Sequence, residues 1–233
     1  TDSHFAVKNH EIARQQFVIT ALSEKHLNEL PEKDVITTEV HNKADEYLVR
    51  CGSSTFSISK DNGQLTNWSL DGTEQLQSPI RDSFARAPID NDICSSEVDH
   101  PSPDSWLSKW QSTGLFDWEH RCLGLSLDDS CKQLTARHGY FGNDQLMVSS
   151  TWHYVFDVDG AVEITISVQV SESAPPLPRV GALIRLSHDP GQVSWFGRGP
   201  HENYPDRKHS AVFGQWTHST NEMQTPYIFP SEN

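Results

Sequence analysis

Residues 146–170 read LMVSSTWHYVFDVDGAVEITISVQV. Two arms rich in β-branched and aromatic side chains flank Asp159-Gly160. Such residues suit a pleated, half-buried surface. An Asp-Gly pair supplies the positive-φ positions that a tight hairpin turn requires. The stretch therefore predicts a long antiparallel hairpin. The same punctuation recurs elsewhere. YLVRC (47–51) and TFSISK (55–60) read as strands, Asp61-Asn62-Gly63 as a turn, and QLTNWSL (64–70) as a strand closed by Asp71-Gly72. GALIRLS (181–187) and VSWF (193–196), on either side of Asp189-Pro190-Gly191, predict a further hairpin.

One helix is expected where Ser102 caps, Pro103 takes the first helical position and Asp104 faces the positive end of the dipole. Trp106, Leu107 and Trp110 then share a face, and Gly114 ends the helix. Strands otherwise follow one another without intervening helices. The fold class is thus all-β: a large antiparallel two-sheet sandwich with one or two short helices. EIARQQFVITAL (11–22) alternates like a single strand, which is not stable alone. The charged, proline-broken stretch 23–34 separates it from the main body. Residues 1–30 are therefore read as the end of a preceding domain plus a linker, and 31–233 as the β-rich body. The polar start and the apolar, proline-bearing end YIFPSEN (227–233) suggest that both ends are cut.

Of 233 residues, 35% are hydrophobic and 21% charged, which provides for a core in a soluble globular protein. The formal charge of −14 disfavours nucleic acid and anionic membrane surfaces as partners. No apolar run is long enough to cross a bilayer. Cys51, Cys94, Cys122 and Cys131 are far apart and form no CxxC pair, which indicates a reducing, cytoplasmic compartment.

Two polar segments are candidates for chemistry. RDSFARAPIDNDICSSE (81–97) gathers Arg81, Asp82, Arg86, Asp90, Asn91, Asp92 and Glu97 around Ala87-Pro88. Asp90, Asn91 and Asp92 are similar to the opening of a calcium loop, but the required glycine and distal glutamate are absent. An Asx-type turn held by Arg–Asp pairs is the simpler reading. GRGPHENYPDR (197–207) holds Glu202, Asp206, Arg198 and Arg207, which can form a paired network, with Gly197 and Gly199 opening unusual backbone geometry. A catalytic Glu202 would need a second, facing carboxylate, and the sequence identifies none. His201 and His209 are isolated, and no zinc-type cluster, nucleophile elbow or Walker loop occurs. Trp152 and Trp195, inside strand patterns, are read as core.

Together DSFARAPIDND (82–92) and GRGPHENYPDR…TPYIFPSEN resemble the C-terminal "small chain" domain of large bacterial β-galactosidases, over about residues 34–233. The leading EIARQQFVI is similar to the last strand of those enzymes' preceding immunoglobulin-like domain. The resemblance implies a truncated supersandwich of the galactose-mutarotase-like type. It implies a non-catalytic role, since the catalytic glutamates lie on a barrel absent from this sequence. The domain would support the barrel, the tetramer and the active-site mouth. Asn91, Asp92, Cys94, Ser96 and Glu97 would form the loop nearest the galactoside. Arg86, Asp90, Glu202, Asn203, Tyr204, Asp206 and Arg207 would be structural. No metal or cofactor is expected in this part, although the parent enzymes resemble magnesium- and sodium-dependent ones. Partners would be the remaining domains and further copies of the protein. Cys94 stands where the family commonly has glycine, so the loop is expected to lose the positive-φ conformations that glycine allows. A free aldose 1-epimerase using His201 and Glu202, or a stand-alone carbohydrate-binding module, are the alternatives.

Overall fold

Asp71 and Gly72 both take positive φ, 50° and 77°, and reverse the chain in two residues. This is the turn whose twist matches paired strands, and it joins β4 (Leu65–Leu70) to β5 (Thr73–Glu74). The computed structural model describes residues 10, 14–17, 38–94, 100–128, 133–157, 160–203 and 205–224, with backbone alone for 205–207. These fall into two compact units, one within Asp34–Asp189 and the other within Thr1–Lys33 and Pro190–Ile228.

In the larger unit, β1 (Glu39–Asn42), β2 (Glu46–Cys51), β3 (Ser54–Ser59), β4 and β5 form a five-stranded antiparallel meander. The 61–63 turn joins β3 to β4 as expected, with Gly63 at φ 72°. A second sheet has the order β10-β9-β8-β7, with β7 at Glu119–Leu127, β8 at Gln133–Gly142, β9 at Gln145–Phe156 and β10 at Val162–Val170. The long hairpin read from 146–170 is β9–β10, paired from Val148–Val170 to Phe156–Val162. Asp159 of its turn lies outside the described residues. The sheets pack face to face. Val49, Phe56, Ile58 and Leu65 meet Leu134, Ala136, Trp152, Tyr154 and Phe156, all almost fully buried. Burying each such large side chain contributes roughly 1.5–3 kcal/mol.

Strand β6 (Leu76–Ser83) was not legible, because Pro79 interrupts it. Proline cannot donate to a ladder and is tolerated at irregular or edge positions. Here the register with β11 (Gly181–Leu186) shifts beside it: Arg81 faces Leu183 and Ser78 faces Arg185. This pairing corrects the hairpin expected across residues 189–191, since GALIRLS pairs with β6 and not with VSWF.

A single helical turn, α1 (Asp90–Ile93), follows β6, and α2 spans Trp106–Ser112. The cap of α2 is Ser105, not Ser102: its Oγ accepts the Ser108 N–H at 3.1 Å. Ser102 closes the preceding turn, its carbonyl accepting from Ser105 N and from Ser108 Oγ. Leu107 and Trp110 are buried with Phe84, Ile93, Leu115, Tyr140, Met147 and Val148, in a second cluster. Trp106 is turned outward at 41% exposure, with the Lys109 ammonium 4.3 Å from its ring, so the expected three-residue apolar face holds only two.

In the smaller unit, β12 (Gln192–Gly199) and β13 (Val212–Ser219) pair antiparallel, Trp195 opposite Trp216. Trp195 is half-buried there, not core. Gly199 does not take positive φ; its role is close approach, since a Cβ would meet the Trp216 ring at 2.7 Å. On the outer edge of β13, the Gln16 amide donates to Phe213 O and accepts from Phe213 N, both at 2.6 Å. The stretch 11–22, expected as a strand, forms none at its described residues 14–17, and its other residues lie outside the described ones.

Candidate functional site

Strand β6 delivers Asp82 into the larger unit at 7% exposure. Its Oδ2 accepts Tyr140 Oη at 2.8 Å and Ser150 Oγ at 2.6 Å, and the Trp152 indole N–H approaches Oδ1 at 3.0 Å. Tyr140 stands on β8, Ser150 and Trp152 on β9, so the three donors come from two strands of the opposing sheet. A buried carboxylate is tolerable only with such saturation. Beside it, His120 Nε2 lies 3.0 Å from His138 Nδ1. His138 is 2% exposed; burial, reinforced by His120, lowers its pKa to about 4. His120 is lowered too, by burial, with Asp82 opposing. Burial, then the Asp82 carboxylate, pushes the Tyr140 phenol well above its ordinary range.

A cavity of about 620 Å³ opens over this group. Asp82 and Tyr140 line it together with His120, Trp118, Phe116 and three arginines, Arg81, Arg179 and Arg185. The Trp118 ring is fixed by its N–H to Thr113 O at 2.9 Å and by Gly142, where any Cβ would collide with the Thr113 carbonyl and the indole. Of these residues only Arg81 and Asp82 stood out in the sequence. His138 with Tyr140, and Ser150 with Trp152, are two apart on strands and so share a face. That period-two polar pairing was the available signal.

Beyond the cavity, the 81–94 segment behaves as the Arg–Asp reading expected. Arg86 Nη1 meets Asp92 Oδ2 at 2.6 Å, with the side chains 17% and 8% exposed. The same oxygen accepts Ile89 N at 2.9 Å, and the guanidinium lies over the Trp110 ring. Asp92 is thereby used up as a turn-holder and not as part of a calcium loop; Asp90 and Asn91 are not buried on the helical turn. Cys94 takes φ 52°, ψ 28°, a left-handed cap, with Sγ 3.3 Å from Asn91 O. This corrects the expectation at that position: the side chain has not removed the positive-φ conformation, it occupies it, at a backbone cost of roughly 1–2 kcal/mol. Ser96 and Glu97 lie outside the described residues.

In the 197–207 segment the side chains of Arg198 and His201 bond to backbone, while the Asp206 and Arg207 side chains of the expected carboxylate network lie outside the described residues. Arg198 Nη1 donates to Lys208 O at 2.6 Å and Ala211 O at 3.0 Å. His201 Nδ1 lies 2.7 Å from Glu202 O and its Nε2 3.1 Å from Ser210 O. Carbonyls at the end of the 3-10 turn Pro205–Ser210 need such donors. Both ring nitrogens of His201 thus face backbone carbonyls. Asn203 is exposed; Tyr204 and the side chains of Asp206 and Arg207 lie outside the described residues.

Residues 50–233 match the family described as β-galactosidase small chain. The protein belongs to the β-galactosidase small-chain family. It is 41% identical over 229 residues to a β-galactosidase of Aeromonas hydrophila, covering 96% of this sequence and 22% of that relative. It is 37% identical to one of Klebsiella pneumoniae and 35% identical to one of Pseudoalteromonas haloplanktis, over 97% and 100% of this sequence. It thus spans about a fifth of the length of these relatives. Among its described residues, no group of three or more His, Cys, Asp or Glu side chains could hold a metal ion. No helix among them is long and apolar enough to cross a membrane.

Proposed function

We propose that this small-chain region serves a β-galactosidase as a non-catalytic domain, while hydrolysis of terminal β-galactosides takes place elsewhere in the parent protein. The observation that carries this is the use made of carboxylates. Glycoside hydrolysis needs two of them across the scissile bond. The cavity offers one, Asp82, whose oxygens are already engaged by Tyr140, Ser150 and Trp152. The role is then to present the loop of Asn91, Asp92, Cys94, Ser96 and Glu97, stiffened by Arg86–Asp92, toward the galactoside, and to support the barrel and a homotetramer. Residues 1–30 end a preceding immunoglobulin-like domain, the sandwich is of the galactose-mutarotase type, and the magnesium and sodium ligands lie in other parts of the parent. The free thiols of Cys51, Cys94 and Cys122 support a cytoplasmic setting. The purified protein is expected to leave nitrophenyl β-galactoside uncleaved and galactose mutarotation unaccelerated. Turnover by these 233 residues alone in either assay overturns the proposal.

A further inference from the structure

Several arginines are fully occupied. Arg86 holds Asp92, Arg121 holds Glu119, and Arg198 holds two carbonyls. Arg81, Arg179 and Arg185 differ: all three line the cavity above Asp82, and none of their guanidinium groups forms a hydrogen bond or ion pair among the described residues. Shortage of acid is not the reason, because the protein has 32 acidic residues against 18 basic ones. The carboxylate on the cavity wall pairs with none of them, since Asp82 is turned to its three neutral donors, and its single charge offsets only one of the three guanidinium charges. The result is a pocket of concentrated positive charge in a strongly acidic protein, and such a concave site focuses the field that draws anions in. Guanidinium forks match the paired oxygens of carboxylate and phosphate.

The walls add a second requirement. Trp118, pinned through Thr113, and Phe116, 43% exposed, present flat apolar surface beside the arginines. Gln64 contributes an amide able to bond hydroxyls. About 620 Å³ lies in the range of small-ligand sites. Flat aromatic faces with an amide suit the C–H face and hydroxyls of a sugar ring, and the arginines suit a charged substituent on it. We propose that this cavity binds a small anionic saccharide, a sugar acid or sugar phosphate, with its charged group on Arg81, Arg179 and Arg185 and its ring against Trp118 and Phe116. Binding of this kind is independent of galactoside hydrolysis.

Calorimetric titration of the purified protein with galacturonate, galactose 6-phosphate, neutral galactose and inorganic phosphate tests it. The two charged sugars are expected to bind, more weakly as salt rises, and galactose to give no heat. Arg81→Gln and Arg179→Gln are each expected to weaken charged-sugar binding about tenfold or more, with unchanged thermal midpoints because both side chains are exposed. Phe116→Ala is expected to weaken the sugars and leave phosphate unaffected. Absence of heat from both charged sugars overturns the proposal, as does equal binding of galactose or indifference to the arginine variants. Phosphate binding as tight as galactose 6-phosphate overturns the saccharide assignment.

Discussion

Asp82→Ala removes the acceptor shared by Tyr140, Ser150 and Trp152 and leaves three buried donors without a partner. Each orphaned donor costs about 1–3 kcal/mol. Truncation opens a space about the size of one water, which can serve some of them, so the expected loss is near the lower end of the sum, about 4 kcal/mol. For a protein of this length that is a fall in Tm of roughly 8–16 °C. The sharper test is the sign of a coupling. Tyr140→Phe in the native background forfeits a bond to a carboxylate and costs about 1.5–3 kcal/mol. In the Asp82→Ala background the same change deletes a hydroxyl that is already unsatisfied, and becomes neutral or stabilising. Urea unfolding followed by tryptophan fluorescence, on the four members of the cycle, measures both. If Tyr140→Phe costs the same in the two backgrounds, the hydroxyl and the carboxylate do not interact as described.

Further outcomes follow from neighbouring residues. His138 is held neutral when folded, its pKa lowered from 6.5 to about 4. Below the unfolded value the unfolded chain takes up a proton that the folded state refuses. Stability is therefore expected to fall as pH drops from about 6.5 toward 4, by on the order of 3 kcal/mol, and then to level. His120 adds to the slope in the same direction; urea midpoints between pH 7 and 4.5 read it before the lowered carboxyls of Glu46 and Glu222 titrate, and a flat profile refutes it. Cys94→Gly relieves a left-handed side chain but loosens the unfolded state, for a net gain of about 0.5–1 kcal/mol. Cys94→Val puts a β-branched residue at φ 52° and is expected to cost more than about 1 kcal/mol, so thermal midpoints must rank Gly above Cys above Val. Gly142→Ala drives a methyl into Thr113 and Trp118 and is expected to cost about 1–3 kcal/mol in a denaturant titration, although Gly142 has no special φ.

The hairpins were readable because each carries its signal locally: arms with period-two pattern and a glycine where φ is positive, as at Gly63 and Gly72. Strand β6 was not, since Pro79 reads as a breaker and its place is settled only by pairing with β11, about a hundred residues on. The same non-locality hid the cavity. Asp82 was noticed as one polar residue among seven, but its donors lie 58 to 70 residues away and look apolar or neutral in isolation. An Arg–Asp pair within 81–97 was anticipated, but the partner of Arg86 is Asp92, six residues on, a residue read as part of the substrate-proximal loop. Arg198 was expected to find carboxylates and found carbonyls instead, because composition reveals charges but not the unsatisfied end of a 3-10 turn.

The bond pair between the Gln16 amide and Phe213 has a chemical consequence of its own. A primary amide presents one donor and one acceptor in a plane, as a peptide group does, and so covers one rung of the exposed β13 edge. Hydrolysis of that amide to a carboxylate, a slow reaction of ageing proteins, would turn the donor facing Phe213 O into a second acceptor. Repulsion would then uncover the rung, and an uncovered strand edge is a template for another polypeptide. Among the described residues, the cover of that rung would in that case last as long as a single carbon–nitrogen bond in the Gln16 amide.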